Sequence, residues 1–204
     1  MPEAAGIAAI VLAAGRATRF GSDKLLQPLA LDGCTAPMIA HSVRPWLQVF
    51  DVLTLVIRPG DHALRAALSG MEGFRWVEAE QCGLGMGHSL AAGVAATADA
   101  DGWVIGLADM PRLPAAVIAQ VRDALRHGAA LAAPFHQARR GHPAGFGRRY
   151  AEELLALSGD AGARQILQRD AAQLTRIVVQ HPGVLLDVDQ PSDIEQLNVI
   201  EESP

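Results

Sequence analysis

The chain has 204 residues, half of them apolar, with aromatic residues at 4% and a formal net charge of -5. That composition excludes a disordered polymer, and the length suits a single α/β domain over residues 1–204 with room for a sizeable core. An acidic chain without a run of Lys or Arg is not a general nucleic-acid binder, so any phosphate site in it must be a local cationic patch.

The segment from Met1 to Leu12 lacks a basic leader region, and its apolar run is too short to span a bilayer. Ile7 to Leu12 reads as a buried strand. It breaks at Gly15 into a polar loop with Arg16, Arg19, Gly21 and Lys24. A strand ending in a Gly-rich cationic loop puts backbone N–H groups and fixed positive charge at a sheet edge, where an open α/β protein binds its ligand. A Walker loop is excluded, because Lys24 follows Asp23 and precedes Leu25; a dinucleotide fingerprint is excluded, because the glycine after Gly15 is Gly21. A polyphosphate held by Arg19 and Lys24 is the expectation, against a plain turn with solvated charges.

Cys34 and Cys82 form no C-x-x-C pair and signal neither a disulfide framework nor a zinc site. A reducing cytoplasm is therefore expected, with no membrane and no nucleic-acid partner. Residues 37–50 read as a helix, with Ile39, Val43, Trp46, Leu47 and Phe50 on one face. Val52 to Ile57 is a second strand, Asp61 to Leu68 a short helix capped by Asp61, and Arg75 to Glu80 a third strand. Then comes Gln81-Cys82-Gly83-Leu84-Gly85-Met86-Gly87-His88-Ser89, followed by a helix from about Ser89 to Ala98. Its glycines would bring backbone amides close to a ligand at the helix start, unless Ser89 is an ordinary cap on a flexible loop.

Trp103 to Ala108 is a central strand that delivers Asp109 to its C-terminal end, and a helix follows Pro114 to about His127. A carboxylate there is costly unless paired or metal-bound; the competing reading is a helix cap. Ala129 to Phe135 is a strand, 136–146 a turn-rich basic loop, 148–157 a helix, and 160–169 a short helix capped by Asp160. Thr175 to Val179 and Val184 to Val188 read as strands, the latter carrying Asp187 and, two residues on, Asp189. Pro191 opens a last helix to Val199, with Asp189 or Gln190 as cap. Strands alternating with helices predict a three-layer α/β/α, doubly wound, mostly parallel sheet.

On such a sheet the first loop, the glycine loop and two strand-borne acids converge on one edge, which is the inventory of nucleotidyl transfer. The blocks Leu12-Ala13-Ala14-Gly15 with Arg19-Phe20-Gly21 and Lys24, Gly85-Met86-Gly87-His88-Ser89-Leu90, Leu107-Ala108-Asp109-Met110-Pro111, Arg140-Gly141-His142-Pro143, Gly159-Asp160-Ala161-Gly162-Ala163-Arg164 and Asp187-Val188-Asp189-Gln190-Pro191-Ser192-Asp193 carry a resemblance. In that order they resemble the MobA-like nucleotidyltransferases with their Rossmann-like fold, and within them the molybdenum cofactor cytidylyltransferases. The resemblance implies that Lys24, Arg19 and Asp109 are catalytic, and that Gly15, Arg19 and Lys24 bind the triphosphate. It implies a base pocket lined by Leu12, Ala13, Ala14, Gly83, Gly85 and Ser89, and Mg²⁺ on Asp109 and Asp187.

For this branch it further implies CTP as donor and a molybdopterin-type cofactor as acceptor, with a molybdenum hydroxylase or its chaperone downstream. Arg140, His142 and Arg164 would face the acceptor; His142 is equally a turn residue, and Arg164 equally a partner of Asp160 at i,i+4. Ala14 stands where related guanylyltransferases tend to carry glycine, and a methyl there favours CTP over GTP by about 1–3 kcal/mol. His88 replaces a commoner Ser, and Asp-Gln-Pro-Ser-Asp replaces the usual Asp-Thr-Pro-Glu-Asp. The rival readings are a same-fold enzyme using a sugar phosphate or methylerythritol phosphate, and a non-catalytic nucleotide-binding maturation factor.

Overall fold

The computed structural model of the chain describes residues 6–15, 23–160 and 162–199. Along it run β1 (Ile7–Leu12), β2 (Pro28–Leu31), β3 (Cys34–Pro37), α1 (Met38–Leu47), β4 (Leu53–Ile57), α2 (His62–Ala67), β5 (Phe74–Glu78), α3 (Met86–Ala95), β6 (Gly102–Leu107) and α4 (Ala115–Arg126). There follow β7 (Leu131–His136), β8 (Arg139–Arg140), β9 (Ala144–Gly147), α5 (Ala151–Leu155), α6 (Arg164–Arg169), β10 (Leu174–Val178) and α7 (Asp193–Val199).

The main sheet has the order β10-β7-β9-β6-β1-β4-β5, with β8 pairing β7. β1 is parallel to both β4 and β6, β4 to β5, and β7 to β10, while β9 runs antiparallel between β6 and β7. The sheet is therefore mostly parallel, as expected. β4 is buried along its whole length and apolar except for Thr54, as suits a strand covered on both faces. Successive residues of β1 point to opposite layers: Ala9 and Val11 join Met38, Val43 and Trp46 of α1, Leu64 of α2 and Val117 and Ile118 of α4. Ile10 and Leu12 join Leu90 and Val94 of α3, Leu154 of α5 and Ile166 of α6. Helices cover both faces of the sheet.

Residues 28–37, which apart from Pro37 carry no sequence expectation, form the hairpin β2–β3, turned by Asp32 and Gly33 at φ 51 and 72. Three expectations are corrected. The loop expected over 136–146 contains β8 and β9, which fill the sheet between its parallel halves. Val184 to Val188 is not a strand: a 3-10 turn over Pro182–Leu185 leads into an extended segment that Val188 anchors by donating to the Asp109 carbonyl at 2.9 Å. The glycine-loop helix starts at Met86, not Ser89, so Ser89 is a buried helical residue and no cap.

The caps differ in detail too. Asp61 caps α2 as expected, accepting from Leu64 N at 3.1 Å. Asp160 makes no capping bond to α6. At α7 the direction is reversed: Asp193 reaches back and accepts from the amides of Asp189 and Gln190 at 2.8 and 2.9 Å. Among the described residues no helix is long and apolar enough to cross a membrane.

Candidate functional site

β1 and β6 are adjacent parallel strands, so their C-terminal ends deliver Leu12–Gly15 and Leu107–Asp109 to one edge of the sheet. Lys24 reaches this edge from a short 3-10 turn (Lys24–Leu26). Its Nζ donates to Asp109 Oδ2 at 2.7 Å, to the Val188 carbonyl at 2.7 Å and to Asp189 Oδ1 at 3.2 Å. One ammonium thus ties the end of the first loop, the end of β6 and the segment ahead of α7. The start of that turn is held from the other side: Arg58 pairs with Asp23 and, at 2.6 Å, with Asp61, the cap of α2.

Burial alone would lower the Lys24 ammonium; the Asp109 carboxylate, with Asp189 behind it, outweighs burial and holds it above its usual value. Burial pushes the Asp109 carboxyl up, Lys24 opposes this, and Asp187 pushes it up further by like-charge repulsion. The 2.9 Å bond from Val188 N to the Asp109 carbonyl brings the neighbouring Asp187 beside the end of β6. Asp109 Oδ1 is buried and has no hydrogen-bond partner among the described residues. A carboxylate oxygen in that state is unsatisfied unless a cation or a donor meets it.

Beside Asp109 opens a cavity of about 340 Å³ lined by Leu12, Ala14 and Gly15 on one side and by Cys82, Gly83, Gly85, Met86 and Ser89 on the other. The structure brings together there seven of the expected site residues: Leu12, Ala14, Gly15, Gly83, Gly85, Ser89 and Asp109. Ala13 is the exception: strand alternation turns its methyl into the opposite core layer, and its N–H donates to the Val56 carbonyl at 2.7 Å. Arg19 lies outside the described residues.

A second cavity of about 410 Å³ adjoins the first and shares Leu12, Met86, Leu107 and Asp160 with it. Arg140, His142 and Arg164 all line it over an apolar floor that includes Leu90, Ile105 and Phe146. Burial lowers the Arg140 guanidinium, and the neighbouring charge of Arg164 lowers it further. Two cations held this close favour an anion between them. His142 is no free turn residue: its N–H donates to the Val184 carbonyl at 2.8 Å, and its ring Nδ1 is buried without a partner among the described residues. Burial lowers its pKa, so the ring stands neutral at the wall. Arg164 makes no ion pair with Asp160 among the described residues.

Sequence reasoning missed two participants. Asp189, expected as a companion of Asp187 or as a cap, pairs with Lys24, and both Asp187 and Asp189 also border a hollow that includes His136 and Arg139. Asp160 was read as a cap and lines both cavities instead. Its place beside Gly159, a turn glycine at φ 63, was the available signal. Among the described residues no group of three or more His, Cys, Asp or Glu is arranged to hold a metal.

Residues 9–176 match the model of the MobA-like NTP transferase domain. The bifunctional protein GlmU of Sphingopyxis alaskensis is 33% identical over 177 residues, covering 84% of this chain and 36% of that protein. The chain thus spans about a third of the length of the curated relatives it matches. Rv0371c of Mycobacterium tuberculosis H37Rv superposes with a TM-score of 0.82 at 28% identity, over 98% of this chain and 100% of that one. A second structure of Rv0371c, in complex with manganese, superposes at 0.78, also at 28% identity, over 97% and 100% of the two chains.

Proposed function

The chain belongs to the MobA-like NTP transferase family, and we propose that it moves CMP from CTP to the terminal phosphate of a molybdopterin-type molybdenum cofactor, releasing pyrophosphate. One observation carries the transfer chemistry. Lys24 and Asp109, 85 positions apart, form a 2.7 Å ion pair at the C-terminal edge of β1 and β6, with an unsatisfied carboxylate oxygen beside it. A phosphoryl acceptor supplies its own nucleophile, so the protein's part is positioning and charge neutralisation.

The residues fit a divalent cation. Asp109 Oδ1 lacks a partner among the described residues, Asp187 adds a second hard oxygen donor nearby, and Mg²⁺ takes one or two carboxylates and leaves other positions to phosphate and water. Asp109 and Asp187 would hold it, and when bound it supplies neutralisation of the triphosphate charge. The manganese complex of Rv0371c supports a divalent site in this family. Lys24, held above its usual value, stays protonated and opposes the burial that pushes the Asp109 carboxyl up. Gly15, Gly83 and Gly85 line the nucleotide cavity, and the methyl of Ala14, which also lines it, narrows it against a purine. Arg140 and Arg164 draw the acceptor's phosphate into the second cavity, while neutral His142 offers a ring nitrogen to its polar edge.

A second reading, the same transfer to a sugar phosphate or methylerythritol phosphate, rests on one feature: two arginines recognise phosphate charge without selecting its carrier. Pyrophosphate release decides between them. With Mg²⁺ and molybdopterin-type cofactor, CTP should support release and GTP should support less. Asp109→Asn should lower the rate by about 100-fold or more while CTP still binds. Equal release with a sugar phosphate would replace the proposed acceptor by the rival one. Tight CTP binding without release for any acceptor would make the chain a maturation factor.

A further inference from the structure

The two cavities share a wall, and that wall is made by two backbones in contact. The glycine loop ahead of α3 lines the nucleotide cavity, and Asp160, Gly162, Ala163 and Arg164 line the other. Gly87 N donates to the Gly159 carbonyl at 2.8 Å. A Cβ at Gly87 would stand 2.8 Å from the backbone of Ser158, and one at Gly85, where φ is 124, would stand 2.3 Å from the Gly159 carbonyl carbon. The two glycines let the segments approach more closely than any side chain permits. A return bond closes the contact: Gly159 N donates to His88 Nδ1 at 3.2 Å, 71 positions away in the chain. Asp160, the next residue, lines both cavities.

We propose that His88 is a positioning residue: by accepting from Gly159 N it pins the Ser158–Asp160 turn to the glycine loop and so sets the spacing between the nucleotide-side and acceptor-side cavities. This rests on the nucleotidyl-transfer reading above. To accept at Nδ1 the imidazole carries its proton on Nε2. Gly87 and Gly85 supply the closeness, His88 supplies the lock, and Asp160 is the group whose place depends on it. Transfer in line needs the acceptor phosphate and the α-phosphorus aligned, and a displacement of about 1 Å costs about 100-fold. A loosened turn moves the acceptor side and leaves the nucleotide side, built on β1, β6 and α3, in place.

The test compares the full chain with His88→Leu and His88→Asn, since the Asn amide oxygen can take the position of Nδ1. Three readings are taken: amide hydrogen exchange over residues 156–160 without ligand, CTP affinity with Mg²⁺, and the kinetics of pyrophosphate release with molybdopterin-type cofactor. His88→Leu should speed exchange over 156–160 roughly fivefold, as expected for one lost hydrogen bond. It should raise the acceptor KM and lower kcat together by about tenfold, with CTP affinity changed by less than about twofold. His88→Asn should restore all three. Unchanged exchange in His88→Leu, failure of Asn to restore it, or CTP affinity falling in proportion to the acceptor KM would each overturn the proposal. Should the unaltered chain release no pyrophosphate with any acceptor, the transfer reading fails by itself. The exchange comparison then decides the lock alone, faster exchange upholding it and equal exchange refuting it.

Discussion

At the scale of single residues the site turns on Lys24, whose three bonds converge from the ends of β6 and of the segment before α7. Its side chain is 14% exposed and that of Asp109 19%, so neither charge is well hydrated without the other. Removing one member of such a pair leaves a buried charge uncompensated, which costs about 3 kcal/mol or more. Lys24→Met should therefore lower the urea midpoint clearly, and adding Asp109→Asn should recover much of the loss, because the orphaned charge is then gone. Equal loss in the single and double variants would show that Lys24 acts by packing alone. Asp109 was legible in the sequence because it closes an apolar run at a strand end, where a charge is costly unless paired, and Lys24 because it ends the Gly-rich cationic loop that follows β1. Asp189 was not. A period of two put it on one face with Asp187, but the segment is extended without being a strand, and Lys24 draws Asp189 to itself.

Among the elements, long apolar runs were readable and short irregular ones were not. β4 and β6 each lie buried nearly end to end, and α1 and α4 keep their three- and four-residue spacing, so hydrophobic pattern alone locates them. The hairpin β2–β3 is only four residues a side, and its Asp32-Gly33 turn was the sole cue. β9 was hidden because Ala144-Gly145-Phe146-Gly147 has the composition of a turn; its glycines serve close packing, Gly145 against Val121 and Leu125 of α4. Gly106 shows the same device within β6. A Cβ there would stand 2.2 Å from Cζ2 of Trp46, a fully buried ring of α1. Gly106→Ala should therefore cost about 1–3 kcal/mol by overpacking, read as a lowered urea midpoint with unchanged slope. Gly70→Ala, whose added methyl meets nothing within 4 Å, is the control and should be nearly neutral. Equal losses in the two would mean that α1 yields to the extra methyl.

For the whole molecule, the layered core that closes over both faces of the sheet also encloses His41, and this makes stability depend on pH. His41 of α1 is 7% exposed, and a contact of 3.0 Å from Nε2 to the Leu29 carbonyl ties that helix to the hairpin. Burial lowers its pKa, more than that bond and Asp32 can raise it. Burial likewise lowers His142 and His181. A histidine whose folded pKa lies below its unfolded value binds more protons when the chain unfolds, so stability is complete above the unfolded value of about 6.5 and falls as pH drops below it. Surface carboxylates act later: Arg169 holds Asp170 at about 2, and Arg122 holds Asp123 below the usual range, so their contribution is lost only as pH falls below about 4. The acid side of the profile should therefore descend in two steps, the first from the histidines. Urea midpoints measured from pH 7.5 to 5.0 should fall steadily. His41→Gln keeps a side-chain N–H for the Leu29 carbonyl but takes up no proton, so its midpoint should fall less steeply over the same range. A profile flat to pH 5.0, or a His41→Gln slope equal to that of the unaltered chain, would show that His41 finds room for its proton in the fold.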